Sequence, residues 1–122
     1  MKTSNLPALV AALALAGGSF VTNAAETEDD RCVVPEAPEI PDGSTAPEAE
    51  LAKAQRNVKF YLAEGDAFLA CLDKKERALE GDESDEALEK RALIVHLHNQ
   101  FVSQMHSVGD RFNEAVRAYK AR

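Results

Sequence analysis

The stretch LAKAQRNVKFYLAEGDAFLACL, residues 51–72, decides the fold. Its apolar and small residues recur every seventh position in neighbouring rows. Leu51, Val58, Gly65, Leu72 and, further on, Leu79 make one row; Ala54, Tyr61 and Phe68 make the next, with Leu62 and Leu69 beside them. Such a three-in-seven stripe is the pattern of an amphipathic helix, whereas a half-buried strand would alternate by two. Upstream, Thr45-Ala46-Pro47-Glu48 matches a capping box with proline in the first turn, where its missing N–H costs nothing. Downstream, Lys74, Lys75 and Arg77 suit the negative end of the helix dipole, and Gly81 supplies a C-terminal stop. Ser84, followed by Asp85 and Glu86, opens a second helix.

The second helix repeats the stripe in three rows: Ala87, Ile94, Phe101, Val108 and Ala115; Leu88, Val95, Val102, Gly109 and Val116; His98, Met105, Phe112 and Tyr119. No proline follows Pro47. The expected fold is therefore all-α, an antiparallel two-helix hairpin with helices over about 45–80 and 84–121, each about 54 Å long. With the turn near Asp82, the numbers of facing residues sum to about 166. That register sets Gly65 against Phe101, small against large, and Phe68 against His98.

Both stripes are wider than a strict coiled-coil seam, so a bare hairpin leaves apolar surface uncovered. The segment Val33–Asp42 is the natural cover. Pro35, Pro38 and Pro41 fall every third residue, the period of a polyproline II helix, which puts Val34, Ala37 and Ile40 on one face and Glu36, Glu39 and Asp42 on another. An extended strap laid in a groove would make its contacts through Val34, Ala37 and Ile40; the alternative is a flexible acidic linker. Cys32 and Cys71 are the only cysteines, too far apart in sequence for a Cys-x-x-Cys redox or zinc motif, and one intramolecular disulfide is the only internal pairing. The 14 steps from Cys32 to Ala46 span about 43 Å as polyproline II, close to the roughly 37 Å of helix from Ala46 to Cys71. A strap antiparallel to the first helix, fastened by Cys32–Cys71, fits these lengths, and closing that loop stabilises by about 4 kcal/mol on the chain-entropy model.

At the front of the 122 residues, Lys2, the apolar run LPALVAALALA (Leu6–Ala16) and small residues up to Ala24 and Ala25 read as an export signal. The organisation expected is signal peptide 1–25, acidic proline-rich strap 26–44 and helical hairpin 45–122. An uncleaved membrane anchor is the competing reading; Pro7, Gly17, Gly18, Thr22 and Asn23 dilute the apolar run against it. Ser19 stands where a lipoprotein would need cysteine. Export places the chain in the periplasm or outside the cell, where disulfides persist, with no membrane span after signal cleavage. Of the charges, residues 26–50 carry nine acids against Arg31 alone, and residues 51–122 carry twelve of each sign. No basic stripe is available to displace phosphate counterions, which argues against nucleic acid as a partner.

Read together, Cys32-Val33-Val34-Pro35-Glu36-Ala37-Pro38-Glu39-Ile40-Pro41-Asp42-Gly43, then Ala54-Gln55, Tyr61 and Cys71-Leu72, resembles a group of small exported proteobacterial helical proteins of uncharacterised function. These carry a Pro-x-x-Pro-x-Ile-Pro-Asp-Gly segment followed by a helix ending in cysteine. The ending Arg111-Phe112-Asn113-Glu114-Ala115-Val116-Arg117-Ala118-Tyr119-Lys120 is similar to theirs as well. The resemblance implies an exported helical architecture and carries over no catalytic or binding residue.

Chemistry-bearing patterns are sparse. His96 and His98 sit about 200° apart around a helix and cannot share a metal ion. His98 and Met105 share a row but are two turns apart, and Glu80, Asp82, Glu83, Asp85, Glu86 and Glu89 lack the pattern of a calcium loop. No nucleophile motif occurs in the mature chain and a slim hairpin offers no deep pocket, so neither enzyme activity, catalytic residues, a metal site nor a cofactor is expected. The expected role is binding, either to an unknown protein partner or to a second copy as a homodimer, because one strap covers one groove and a hairpin has two. The alternative is a small-ligand or metal carrier, with His98, Met105 and Tyr61 lining a gap opened by Gly65 and Gly109.

Overall fold

A computed structural model describes residues 31–122; the expected signal peptide and the first residues of the acidic segment lie outside them. Two helices, α1 (Glu48–Ala78) and α2 (Asp85–Lys120), fold back on each other as an antiparallel hairpin. Among the described residues there is no strand, and no helix is long and apolar enough to cross a membrane.

The helix ends show which start signals operate. Ser84 caps α2, its Oγ accepting from the Ala87 N–H at 3.2 Å, and the Asp82 carboxylate accepts from the Ser84 N–H at 2.9 Å. The capping box expected at Thr45 does not form. Pro47 takes the N-cap position without any side-chain cap, and α1 begins at Glu48 rather than 45. The polar work is done one turn earlier. Asp42 Oδ1 accepts from both the N–H and the hydroxyl of Ser44, and the Asp42 carbonyl accepts from the N–H groups of Thr45 and Ala46. A short side chain bonding to backbone two residues ahead builds a turn that competes with capping. Between the helices, Gly81 adopts φ 81°, a left-handed value that glycine takes without a Cβ penalty.

The core is narrower than the stripes. In α1 the buried positions are Leu51, Ala54, Val58, Tyr61, Gly65, Phe68 and Leu72, alternating steps of three and four. In α2 they are Ala87, Phe101, Val108 and Ala115, with Ile94, His98, Met105, Phe112 and Tyr119 half-buried along the same seam. Leu51 packs with Ala115 at one end, and Tyr61, Phe68 and Phe101 cluster in the middle. The Phe68 and Phe101 rings meet edge to face at 4.8 Å, and Tyr61 tilts against Phe101 at 5.9 Å. Aromatic contacts of this kind are worth about 0.5–1.5 kcal/mol beyond area burial.

Cys32 and Cys71 form a disulfide with Cα atoms 5.5 Å apart. From there residues 32–42 run without helix or strand down the hairpin to Gly43, which lies against the Ala115 backbone at the opposite end. The 20 residues of α1 between the levels of Cys71 and Leu51 span about 30 Å, so the 11 steps from Cys32 to Gly43 average about 2.7 Å, far from the 1.5 Å of a helix.

Candidate functional site

The hairpin has two grooves, and its residues divide cleanly between them. On one side the strap lies over Glu64, Ala67 and Cys71 near the disulfide, over Glu50, Lys53 and Asn57 further down, and against Arg111, Glu114 and Ala118 of α2. The face the strap turns inward is a different one from that expected. Val34 is 62 % exposed and Ala37 is exposed, whereas Cys32, Pro35, Pro38 and Pro41 are half-buried. The reason is covalent: Cys32 must point at Cys71, and a three-residue period then carries Pro35, Pro38 and Pro41 inward with it. Of the three contacts expected, Ile40 alone is half-buried; it packs against both core clusters.

Two further contacts fix the strap and the seam. A Cβ built on Gly43 would run into the carbonyl of Ala115, so glycine is required by the close approach of two backbones. At Gly65 a Cβ would lie 2.9 Å from Phe101 Cε1 and from Met105 Sδ, so ring and thioether together occupy the space of the missing side chain. The gap that a ligand or metal carrier would need beside Gly65 is filled. His98 is half-buried at the seam edge. Its Nε2 is 3.7 Å from Asp73 Oδ1, and the Phe68 ring meets that of Phe101. Among the described residues no group of three or more His, Cys, Asp or Glu is placed to hold a metal ion.

The groove away from the strap is lined differently. Leu62 and Leu69 of α1 are half-buried on one wall, on the seven-residue row that continues to Glu76. The other wall is the α2 row Leu88, Val95, Val102, Gly109 and Val116, in which Leu88 is 49 % and Val95 43 % exposed and the rest are half-buried. Asp73 and Glu76 meet Ile94, Val95 and His98 across this groove, and Arg91 Nη2 reaches Glu76 Oε1 at 3.7 Å. Gly109 contrasts with Gly43 and Gly65. It sits in the middle of α2, and a Cβ built there meets nothing within 4 Å. Glycine inside a helix is about 1 kcal/mol less favourable than alanine, and among the described residues no contact offsets that cost at residue 109.

Electrostatics in the molecule are local. Hydrogen bonds from Ser44 hold the Asp42 carboxyl below the usual range, and those from Ser84 do the same for Asp82. The ammonium of Lys90, 2.8 Å away, lowers Glu86. Burial raises the Tyr61 phenol, with the Arg111 charge opposing it. All three lowered acids are accounted for by turns and a surface pair. Comparison with family models, with curated proteins and with solved structures gives no match to this chain.

Proposed function

We propose that this is a non-enzymatic exported envelope protein, periplasmic or secreted, that works by binding protein through the groove its strap leaves open. The observation that carries the reading is the asymmetry of the two grooves. One is closed by a strap stapled at Cys32–Cys71 and seated at Gly43, while the other keeps Leu62 and Leu69 facing the row from Leu88 to Val116. An apolar wall along most of a helix, bordered by charged residues, is the surface of an interaction site. The staple supports an oxidising compartment, and the resemblance to small exported proteobacterial proteins supports the same placement. Two long helices meeting in a three-four seam have coiled-coil character, which suits pairing with further helices.

Site-directed photocrosslinking in intact cells tests this. A photoreactive residue at Val102, in the open groove, yields a discrete crosslinked product in the envelope fraction, and the same residue at Val33, on the exposed side of the strap, does not. Absence of any product at Val102, or recovery of the chain with two free thiols in the cytoplasm, defeats the proposal.

A further inference from the structure

We infer that the open groove is closed by a second copy of this chain, packed antiparallel about a two-fold axis at the level of Val102. This rests on the protein-binding reading above and names the partner. The first ground is Gly109. The missing side chains at Gly43 and Gly65 are each used by a neighbour inside the chain, but among the described residues none uses the space at Gly109. Its helix penalty is offset only if something from outside comes close to α2 at that point.

The second ground is the row itself, which is complementary to its own reversal about Val102. Val95 lies seven residues before and Gly109 seven after; Leu88 lies fourteen before and Val116 fourteen after. Turning one α2 antiparallel onto another about Val102 seats Val95 in the space at the partner's Gly109, twice over. It also sets Leu88 against the partner's Val116 and Val102 against its own copy. Isologous contact requires this self-complementarity of one patch.

The third ground is independent, because it comes from α1. Leu62 and Leu69 are symmetric about the level of residues 65–66, and the hairpin register that joins Gly65 to Phe101 puts that level within about 2 Å of Val102 along the axis. One axis therefore serves both walls. It brings Leu62 against the partner's Leu69 and exposed Lys59 toward the partner's exposed Asp73, a complementary charge pair made twice. The product is a four-helix bundle in which α1 packs on α1 and α2 on α2, with both straps on the outside. The two Asp66 side chains approach each other near the axis, so Asp66→Asn tightens the dimer.

The test uses the purified, oxidised chain. Light scattering across a concentration series gives a mass twice that of the monomer. Val102→Cys forms a covalent dimer under mild oxidation, with the Cys32–Cys71 bond verified by mass spectrometry. Leu93→Cys, exposed away from the groove, does not. Gly109→Leu raises the dimer Kd by about tenfold or more while leaving helix content intact, since among the described residues the space beside residue 109 is open. A strict monomer at about 1 mM, equal crosslinking at residues 93 and 102, or an undisturbed dimer in Gly109→Leu each overturns the inference. If the chain is monomeric yet Val102 captures a different protein in cells, the second copy is refuted and the protein-binding reading stands. With neither self-association nor a crosslink, both fall.

Discussion

Gly65→Ala sets two terms of opposite sign against each other. The helix gains about 1 kcal/mol when glycine is replaced by alanine at an interior position. Against this, the new methyl would sit 2.9 Å from Phe101 Cε1, 2.9 Å from Met105 Sδ and 3.0 Å from Met105 Cε. Comfortable carbon contacts lie at about 3.5–4.0 Å, so both neighbours have to move by half an ångström or more. Met105 is half-buried and unbranched and can swing aside. Phe101 cannot do so cheaply, being 3 % exposed and held between the rings of Tyr61 and Phe68. Overpacking a fitted core costs about 1–3 kcal/mol, so Gly65→Ala is neutral to destabilising by about 2 kcal/mol, and Gly65→Leu loses 3 kcal/mol or more. Urea unfolding of the oxidised chain followed by circular dichroism measures both. Adding Met105→Ala separates the two obstructions. If the thioether were the whole problem, Gly65→Ala would become stabilising in that background; if the ring dominates, it stays unfavourable. A Gly65→Ala variant more stable than the parent by the full 1 kcal/mol or so, with Gly65→Leu tolerated, would refute the packing at this level of the seam.

Three other outcomes can be checked on the same preparation. Gly43→Ala drives a methyl into the Ala115 carbonyl, which cannot yield as a side chain can; the strap lifts at that end, and amide exchange of residues 40–46 quickens while the middle of α1 stays protected. Replacing Cys32 and Cys71 together by serine costs about 2–4 kcal/mol in urea, and a loss under 1 kcal/mol would mean the strap contributes little. Acid and alkali act through different groups. The lowered carboxyls of Asp42 and Asp82 contribute stability present above their unfolded value of 3.8 and lost as pH falls through the lower folded values, so Ser44→Ala flattens the acid limb. Tyr61, raised by burial, contributes stability that is complete below its unfolded value of 10.0 and declines as pH rises through 10 toward the folded value, so Tyr61→Phe flattens the alkaline limb.

The hairpin was legible because seven-residue spacing is a global signal: rows from Leu51 to Leu79 and from Ala87 to Val116 can be satisfied only by long helices facing each other. Their breadth misled, since half-buried flanking leucines and valines look the same in sequence as core residues. The strap's inward face follows from the position of Cys32 in its three-residue period. Cys32 belongs to the same three-residue row as Pro35, Pro38 and Pro41, and a cysteine bonded to α1 has to face α1, which turns Val34 and Ala37 outward. Apolar character alone favoured the valine face, and the covalent constraint overrode it. The Thr45 box failed for a local reason, the competing Asp42 turn. Nothing in sequence marked Gly43 as more than a turn glycine, because the backbone it meets is 72 residues away at Ala115. The share of Met105 in the space above Gly65 was hidden similarly, behind a register good to one residue but not to one side chain.

The staple also decides how the molecule carries mechanical load. Without it, tension between residues 31 and 122 would peel the strap and arrive at the start of α1, beside the end of α2, and the hairpin would unzip one contact at a time. With Cys32 bonded to Cys71, the same tension crosses the sulfur bridge and enters near the loop end of α1, while it leaves at the far end of α2. The pull then runs along the length of the bundle and shears many seam contacts at once, and the 39 residue steps from one cysteine to the other, about 130 Å of extended chain, stay slack until the bridge is reduced.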